Sequence, residues 1–199
     1  MSLRPFALAS LIAAAALTGC ASVNRVDPNT VTDLSGNWND TDSRLVAEQM
    51  ITDCIGRPWL AEYRAAHAGA KPVVIVGSIK NRSSEHIQVT TFTKDLEREL
   101  INSGLVKFVA SKEERNDVRE EREDQQQNSS AETMKKMRNE TGADFMVIGN
   151  IDQIIDQKGG TQAKTYQINL ELVHMENNEK VWIGTKDIKK MIKKGGLGF

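Results

Sequence analysis

A short apolar run near the N-terminus limits how many residues of this chain can belong to a folded domain. The run extends from Pro5 to Leu17 and follows the basic residue Arg4. It is too short to cross a bilayer as a helix, which takes about 20 residues, but a basic residue followed by such a run is typical of a secretory signal peptide. We therefore predict that residues 1–19 are a signal peptide. The 180 residues that remain of 199 suffice for one domain with a hydrophobic core.

The end of this run predicts a lipid anchor. Residues Leu17 to Cys20 resemble a lipobox, which implies cleavage before Cys20 and transfer of a diacylglyceryl group to its thiol. Ala21, the next residue, resembles the signal for outer-membrane sorting. Two or three acyl chains anchor firmly, because each buried CH₂ contributes about 0.8 kcal/mol. We predict that Cys20 is lipidated and holds the protein on the periplasmic face of the outer membrane; the alternative is an ordinary signal cut near an A-x-A site.

Charge and cysteine content exclude several classes of protein. The chain has 26 basic and 27 acidic residues, and loss of Arg4 with the signal leaves a net charge of about −2, whereas nucleic-acid binding requires a basic surface. If Cys20 carries lipid, Cys54 has no partner for an intrachain disulfide. We predict that Cys54 is a small buried residue on a helix face, with a nucleophilic role as the alternative.

No motif in the sequence predicts catalysis, a cofactor or a metal. His67, His86 and His174 lie in unrelated contexts without metal-ligand spacing. Neither a G-x-S-x-G motif nor a Walker A loop occurs. The glycine-rich stretch 194–198 follows the last predicted strand, so we interpret it as a frayed tail. We therefore predict a non-enzymatic protein with no small-molecule substrate.

Hydrophobic periodicity predicts helices in the first two thirds of the chain and strands throughout. The predicted helices run from an N-cap at Asp40 or Thr41 to Ile55, from Pro58 to His67, from Ile87 to Asn102, and from Ser129 to Gly142 with Met134 and Met137 on the inner face. The predicted strands are 72–77, 105–110, 144–153, 165–174 and 180–191, with a tight turn at Asn177-Asn178 between the last two. The pattern indicates an α/β (α+β) fold with a mixed sheet of about five strands flanked by helices.

Three segments have more than one interpretation. Residues 111–124 are almost all charged, so they form either a solvated helix or ordered loop, or a mobile segment that orders on a partner. Residues 21–38 form a polar arm, and we expect Trp38 to pin this arm to the domain. Several lysines line the last strand and the residues after it, and they either protect an edge strand from unwanted pairing or meet an acidic partner or anionic lipid. They are Lys186, Lys189, Lys190, Lys193 and Lys194.

Several motifs together resemble one family. They are Leu34-Ser35-Gly36-x-Trp38-Asn39-Asp40, Asp42-Ser43-Arg44, Pro58-Trp59, Pro72 to Gly77 with Asn81, Phe92-x-x-Asp95-Leu96-x-x-Glu99-Leu100, Gly104-x-x-x-Phe108-Val109, Arg115-x-x-x-Arg119, and Gly142-Ala143-Asp144-Phe145 with Gly149. This set resembles the LpoB family of outer-membrane lipoproteins that activate bifunctional penicillin-binding proteins. Part of it also resembles the curli-secretion lipoprotein and the TolB N-terminal domain.

The resemblance implies a TolB N-terminal-like fold and a partner, a peptidoglycan synthase that the protein binds and stimulates without chemistry of its own. The alternative is a lipoprotein subunit of an envelope assembly or secretion complex, similar to the curli channel. We thus expect three regions: a signal peptide at 1–19, a lipid-anchored arm at 20–38 and one LpoB-like domain at 39–199.

Overall fold

The computed structural model describes residues 23–133 and 140–193. The chain divides into two compact units, Met1–Thr30 and Val31–Phe199. In the described part of the first unit, the carbonyl oxygen of Asp27 accepts a hydrogen bond from Thr30 N at 2.9 Å and closes a turn. Predictions for the following residues lie outside the described ranges: Cys20, Met134, Met137, Lys194 and the glycine-rich stretch 195–198.

In its described residues, the second unit alternates helices with the strands of one sheet. The elements in chain order are α1 (Asp40–Ile55), α2 (Pro58–Ala66), β1 (Val73–Asn81), α3 (Val89–Asn102), β2 (Lys107–Phe108), α4 (Lys112–Asn128), β3 (Phe145–Lys158), β4 (Thr161–His174) and β5 (Lys180–Lys193). The strand order in the sheet is β2-β1-β3-β4-β5. β1 is parallel to β2 and β3, and β3, β4 and β5 are antiparallel neighbours, so the predicted mixed five-stranded sheet is confirmed.

One face of the sheet carries the core. Along β4, buried side chains alternate with partly exposed ones, so every second residue from Lys164 to Leu172 points inward. These residues pack with the apolar faces of α1 and α3, where Val46, Ala47 and Cys54 on α1 and Phe92 and Leu96 on α3 are almost fully buried. Of the helices in the described ranges, none packs extensively on the opposite face, which we call the open face.

The start of α1 differs from the prediction by one residue. The N-cap is Asn39, and neither Asp40 nor Thr41 occupies this position. The Asn39 side chain accepts a hydrogen bond from Asp42 N at 3.1 Å, and Asp42 Oδ2 accepts one from Asn39 N at 3.0 Å. This reciprocal capping box satisfies two backbone donors at once, which favours Asn39 over its neighbours.

The strands differ from their predicted lengths. β2 is limited to Lys107 and Phe108, because only two of its residues pair with β1. β3 and β4 instead extend to a tight turn at Gly159, which adopts a φ of 59°. Apart from Lys164, the added residues are exposed or partly exposed and mostly polar, so the alternation of buried apolar side chains that marks a strand is absent from them.

Two further predictions have clear outcomes. The charged stretch forms the helix α4, which contains no buried residue. The predicted hairpin turn between β4 and β5 is confirmed, and Asn178 takes a left-handed φ of 62° there. Ser129 is the C-cap of α4 and does not start a new helix; residues 131–133 form a turn.

Candidate interaction surfaces

Cys54 lies in the core and is not a reactive thiol. Its side chain on α1 has no exposed surface, which confirms the predicted helix-face position. Burial raises the pKa of the Cys54 thiol to about 12. Because the thiolate is the nucleophilic form, this thiol is inert at physiological pH.

The histidines lie in separate local environments. The ring of His67 stacks on Tyr63 with centroids 3.9 Å apart, and the ring of His174 packs edge-on against Phe145 at 5.0 Å. His86 is exposed and contacts Gln88. Across residues 23–133 and 140–193, no three His, Cys, Asp or Glu side chains are arranged to hold a metal.

Trp38 fixes the arm to the domain, as the sequence predicted. Its ring packs edge-on against Phe92 and Tyr166, with centroid distances of 5.9 and 5.7 Å. The indole Nε1 donates to Ser43 Oγ at 2.9 Å, and the backbone N donates to Glu85 Oε2 at 3.0 Å. One aromatic residue therefore joins α3, β4, α1 and the loop after β1.

Glu85 is the centre of a largely buried polar network beneath the arm. Its Oε1 accepts hydrogen bonds from Lys164 Nζ at 2.8 Å, Tyr166 Oη at 2.7 Å and Gln153 Nε2 at 2.8 Å. Burial alone would raise the pKa of Glu85, but these donors and the Trp38 N–H outweigh it and lower the pKa to about 2. The carboxylate therefore stays ionised and holds the Lys164 ammonium, whose side chain is only 11% exposed.

Lys190 makes a second buried contact to the arm. Its Nζ donates to Asp33 Oδ1 at 2.6 Å, to Asn37 O at 3.0 Å and to Asp42 Oδ2 at 2.5 Å. Burial alone would lower the pKa of Lys190, but the hydrogen bonds to the two carboxylates raise it. All three donors of the ammonium are used within the chain, so Lys190 is not free to meet an acidic partner or anionic lipid, which is one role the sequence suggested for it.

These contacts form what we call the clasp: the arm residues Asp33–Asn39 bound to Asp42, Ser43, Glu85, Phe92, Lys164, Tyr166 and Lys190. Gly36 completes it at a φ of 69°, a backbone conformation that favours glycine. A Cβ at Gly36 would lie 2.4 Å from Ile192 Cγ1, so a side chain has no room there. The clasp thus fixes where the arm meets the sheet, at the end of β5.

The open face of the sheet offers a broad surface for a partner. Across its middle run polar residues that are hydrogen-bonded to one another, with Thr185 Oγ1 donating to Asn169 Oδ1 at 2.9 Å. Three large apolar side chains stand on either side of this row: Ile183 is 65% exposed, Ile154 65% and Met191 61%. Mixed polar and apolar surface of this kind is usual at protein interfaces.

A groove runs along the β1 side of the sheet and leads to the charged helix α4. Its volume is about 690 Å³, and its floor includes Ile75, Val89 and Met146. The rim is charged: Lys94 Nζ contacts Glu97 Oε2 at 2.7 Å and Glu114 Oε1 at 2.5 Å. The groove therefore combines an apolar floor with charged walls.

Comparison with known proteins identifies the family. Residues 42–188 match the sequence model of a family described as peptidoglycan-synthase activator LpoB. The chain belongs to the LpoB family. This is a family of regulatory activators and not of catalysts. No curated protein sequence matches this LpoB-family chain significantly.

Solved structures of LpoB are similar to the chain at low identity. The LpoB C-terminal domain from Salmonella enterica is 19% identical, covering 67% of this chain and 94% of that domain, with a TM-score of 0.34. The corresponding domain from Escherichia coli is 18% identical over 67% of this chain and all of that domain, with a TM-score of 0.36. The NMR structure of E. coli LpoB is 14% identical over 90% of this chain and 86% of that chain, with a TM-score of 0.41.

Most motifs behind the family resemblance have structural roles in this LpoB-family chain. Asp144 Oδ2 accepts hydrogen bonds from Tyr63 Oη at 2.8 Å and Val73 N at 2.7 Å, and thereby joins α2 to the start of β1. Trp59 Nε1 donates to Cys54 O at 2.7 Å and links α2 to the end of α1. Along the ranges that the structure describes, no helix is both long and apolar enough to span a membrane.

Proposed function

We propose that this chain is a non-catalytic outer-membrane lipoprotein that binds and activates a bifunctional penicillin-binding protein. The observation that carries the proposal is the match of residues 42–188 to the peptidoglycan-synthase activator family. The described surfaces suit such a role, because the open face and the groove expose apolar side chains beside polar ones. Activation would be allosteric: binding must favour the active conformation of the synthase over the inactive one.

The proposal includes a lipid on Cys20, which the lipobox-like sequence supports. Labelled palmitate supplied to cells should appear in the wild-type protein and not in the Cys20→Ala variant. Label retained by that variant would contradict the anchor, whatever the partner. The anchor can therefore be tested separately from activation.

The clasp shortens the reach of this anchor. It holds the arm from Asp33 onward, so only residues 21–32 separate the lipidated cysteine from the domain. At about 3.3–3.6 Å per residue, 13 steps from Cys20 to Asp33 span at most about 47 Å. A synthase activated by this chain must therefore bring its docking site to within roughly that distance of the outer membrane, plus the width of the domain itself.

The decisive experiment combines binding with enzymology. The purified lipoprotein is immobilised and exposed to an envelope extract, and every bifunctional synthase recovered is assayed for glycan polymerisation with and without the lipoprotein. We expect at least one synthase to be retained and its polymerisation rate to rise.

Two variants sharpen the assay. Ile183→Glu places a charge on the open face, whereas Glu176→Gln changes an exposed residue in the β4–β5 turn and serves as the matched control. Recovery of no synthase, or an unchanged rate with all those recovered, would overturn the proposal. If Ile183→Glu activates as well as wild type, the partner binds elsewhere than the open face around Ile183.

A further inference from the structure

The three strands β3, β4 and β5 end together in a surface that we call the tip surface. It consists of the open-face residues of three adjacent cross-strand rows: Ile154, Thr165 and Lys189; Asp156, Ala163 and Met191; and Lys158, Thr161 and Lys193. The rows follow from the strand register, because side chains at every second position of a strand lie on the same face.

The tip surface combines exposed apolar and basic side chains. Ile154 is 65% exposed and Met191 61% exposed, although both are large and apolar. Lys158, Lys189 and Lys193 are also exposed. A single exposed apolar residue is ordinary, but apolar side chains interspersed with lysines are typical of surfaces that lie in a membrane interface.

The lysines of the tip surface form no ion pairs within the described residues, although the neighbouring row of the same face contains Asp152 and Asp187. The nine residues of the tip surface include three lysines and one acid, Asp156. Within the described ranges, no carboxylate lies within ion-pair distance of Lys158, Lys189 or Lys193, although Lys164 and Lys190 on the other face are both paired. These lysine ammonium groups, which have no ion-pair partner, are thus complementary to the anionic headgroups of phospholipids.

The arm meets the domain at this same end of the sheet. Asp33 binds Lys190, and Gly36 lies against Ile192, so both contacts fall beside the rows of Met191 and Lys193. The chain towards Cys20 therefore leaves from the end of the sheet that carries the tip surface. With at most about 47 Å between Cys20 and Asp33, this end is held near any bilayer in which the lipid is inserted.

We infer that the tip surface rests on the membrane, with its lysines on anionic phospholipid headgroups and with Ile154 and Met191 at the interface. The inference rests on the lipid anchor proposed above and is independent of synthase activation. It gives the domain a fixed orientation: the tip surface faces the lipid, and the opposite end of the sheet points into the periplasm.

The test uses an environment-sensitive fluorophore on the lipidated full chain in vesicles. The label is attached at Met191→Cys, with Ile183→Cys as the matched control. Both positions are strongly exposed on the open face of β5, about 26 Å apart at 3.3 Å per residue. Labelling is selective, because Cys20 would carry lipid and Cys54 is buried.

In vesicles of phosphatidylcholine with phosphatidylglycerol, we expect the label at position 191 to shift its emission to shorter wavelength and to resist an aqueous quencher. The label at position 183 should stay accessible. The double substitution Lys189→Glu and Lys193→Glu, as well as high salt, should reduce the shift at position 191 at least twofold. Unchanged thermal unfolding of that variant would exclude misfolding.

Three results would overturn the inference. The first is equal quencher access at positions 191 and 183 with phosphatidylglycerol present. The second is an emission shift at position 191 that the two charge reversals leave unchanged. The third is an emission shift that appears in detergent as protein concentration rises, which would indicate contact with a second copy of the chain. Palmitate labelling and the synthase assay in detergent are read separately. Failure of the anchor or of activation is therefore distinguishable from failure of membrane contact.

Discussion

Glu85→Gln should destabilise the protein far more than its small change in structure suggests. The substitution keeps the side-chain shape but removes the charge that pairs with Lys164, and it places an amide donor among groups that already donate to Glu85. The lowering of the Glu85 pKa from 4.5 to about 2 corresponds to about 3 kcal/mol of stability. The side chain is only 15% exposed, so screening by solvent is weak.

The lowered pKa of Glu85 also predicts how the cost of Glu85→Gln varies with pH. Because the pKa of Glu85 is lower in the folded than in the unfolded protein, its contribution is full above about pH 4.5 and is lost as the pH falls towards 2. The variant has no carboxyl group at this position and lacks that loss. The difference in free energy of unfolding between wild type and Glu85→Gln should therefore be about 3 kcal/mol at pH 7 and shrink below pH 4.

Urea unfolding of both proteins, followed by tryptophan fluorescence between pH 7 and pH 2.5, measures this difference. Glu176→Gln removes an exposed carboxylate and should change the unfolding free energy by less than about 0.5 kcal/mol throughout. A cost of Glu85→Gln below about 1 kcal/mol at pH 7 would refute the reasoning. A cost that stays constant with pH would do the same.

Three other tests probe the rest of the fold. Lys190→Met should cost about 3–5 kcal/mol in urea unfolding, because it leaves a buried carboxylate without its cation; a cost near zero would mean that the clasp contributes no stability. Gly149→Ala should cost at least about 2 kcal/mol, since its Cβ would lie 2.2 Å from Asn169 O, whereas Gly160→Ala meets nothing within 4 Å and should be near neutral. The Cys54 thiol, with a pKa of about 12, should resist a thiol reagent at pH 8 in native protein and react in urea; rapid native reaction would contradict its burial.

Much of the core could be predicted from periodicity. α1 and α3 repeat apolar residues at helical spacing, and the strand residues from Tyr166 to Leu172 alternate in the way a half-buried strand requires. Trp38 could also be predicted, because a large aromatic residue in a polar arm needs a packing partner. Each of these signals is local in sequence.

The clasp could not be predicted, because its partners are far apart in the chain. Glu85 and Lys164 are separated by 79 residues, and Lys190 and Asp42 by 148. A charged residue on a strand is usually exposed, so both lysines suggested solvent contact. One signal did exist in the sequence. Lys164 is two residues from Tyr166 and Lys190 is two residues from Ile188, so strand alternation places both lysines on the inward face.

The parts of β3 and β4 that extend beyond the core could not be predicted from the sequence, for a different reason. Residues 154–158 and 161–164 belong to a hairpin whose backbone pairs without a packed layer over its open face. Hydrogen bonds between strands hold it together, and these leave no mark in hydrophobic alternation. The sequence therefore contains no signal for the tip surface beyond the lysines that line part of it.

The clasp also determines how the protein bears load. With the lipid anchor proposed above, a pull on the arm would enter the domain at Thr32 and Asp33, whose oxygen atoms accept hydrogen bonds from Asn39, the N-cap of α1, and, for Asp33, also from Lys190. Lys190 lies within β5, whose neighbour β4 is hydrogen-bonded to it along nearly its full length. Through Lys190, part of such a load would therefore pass into the most extensively bonded part of the sheet.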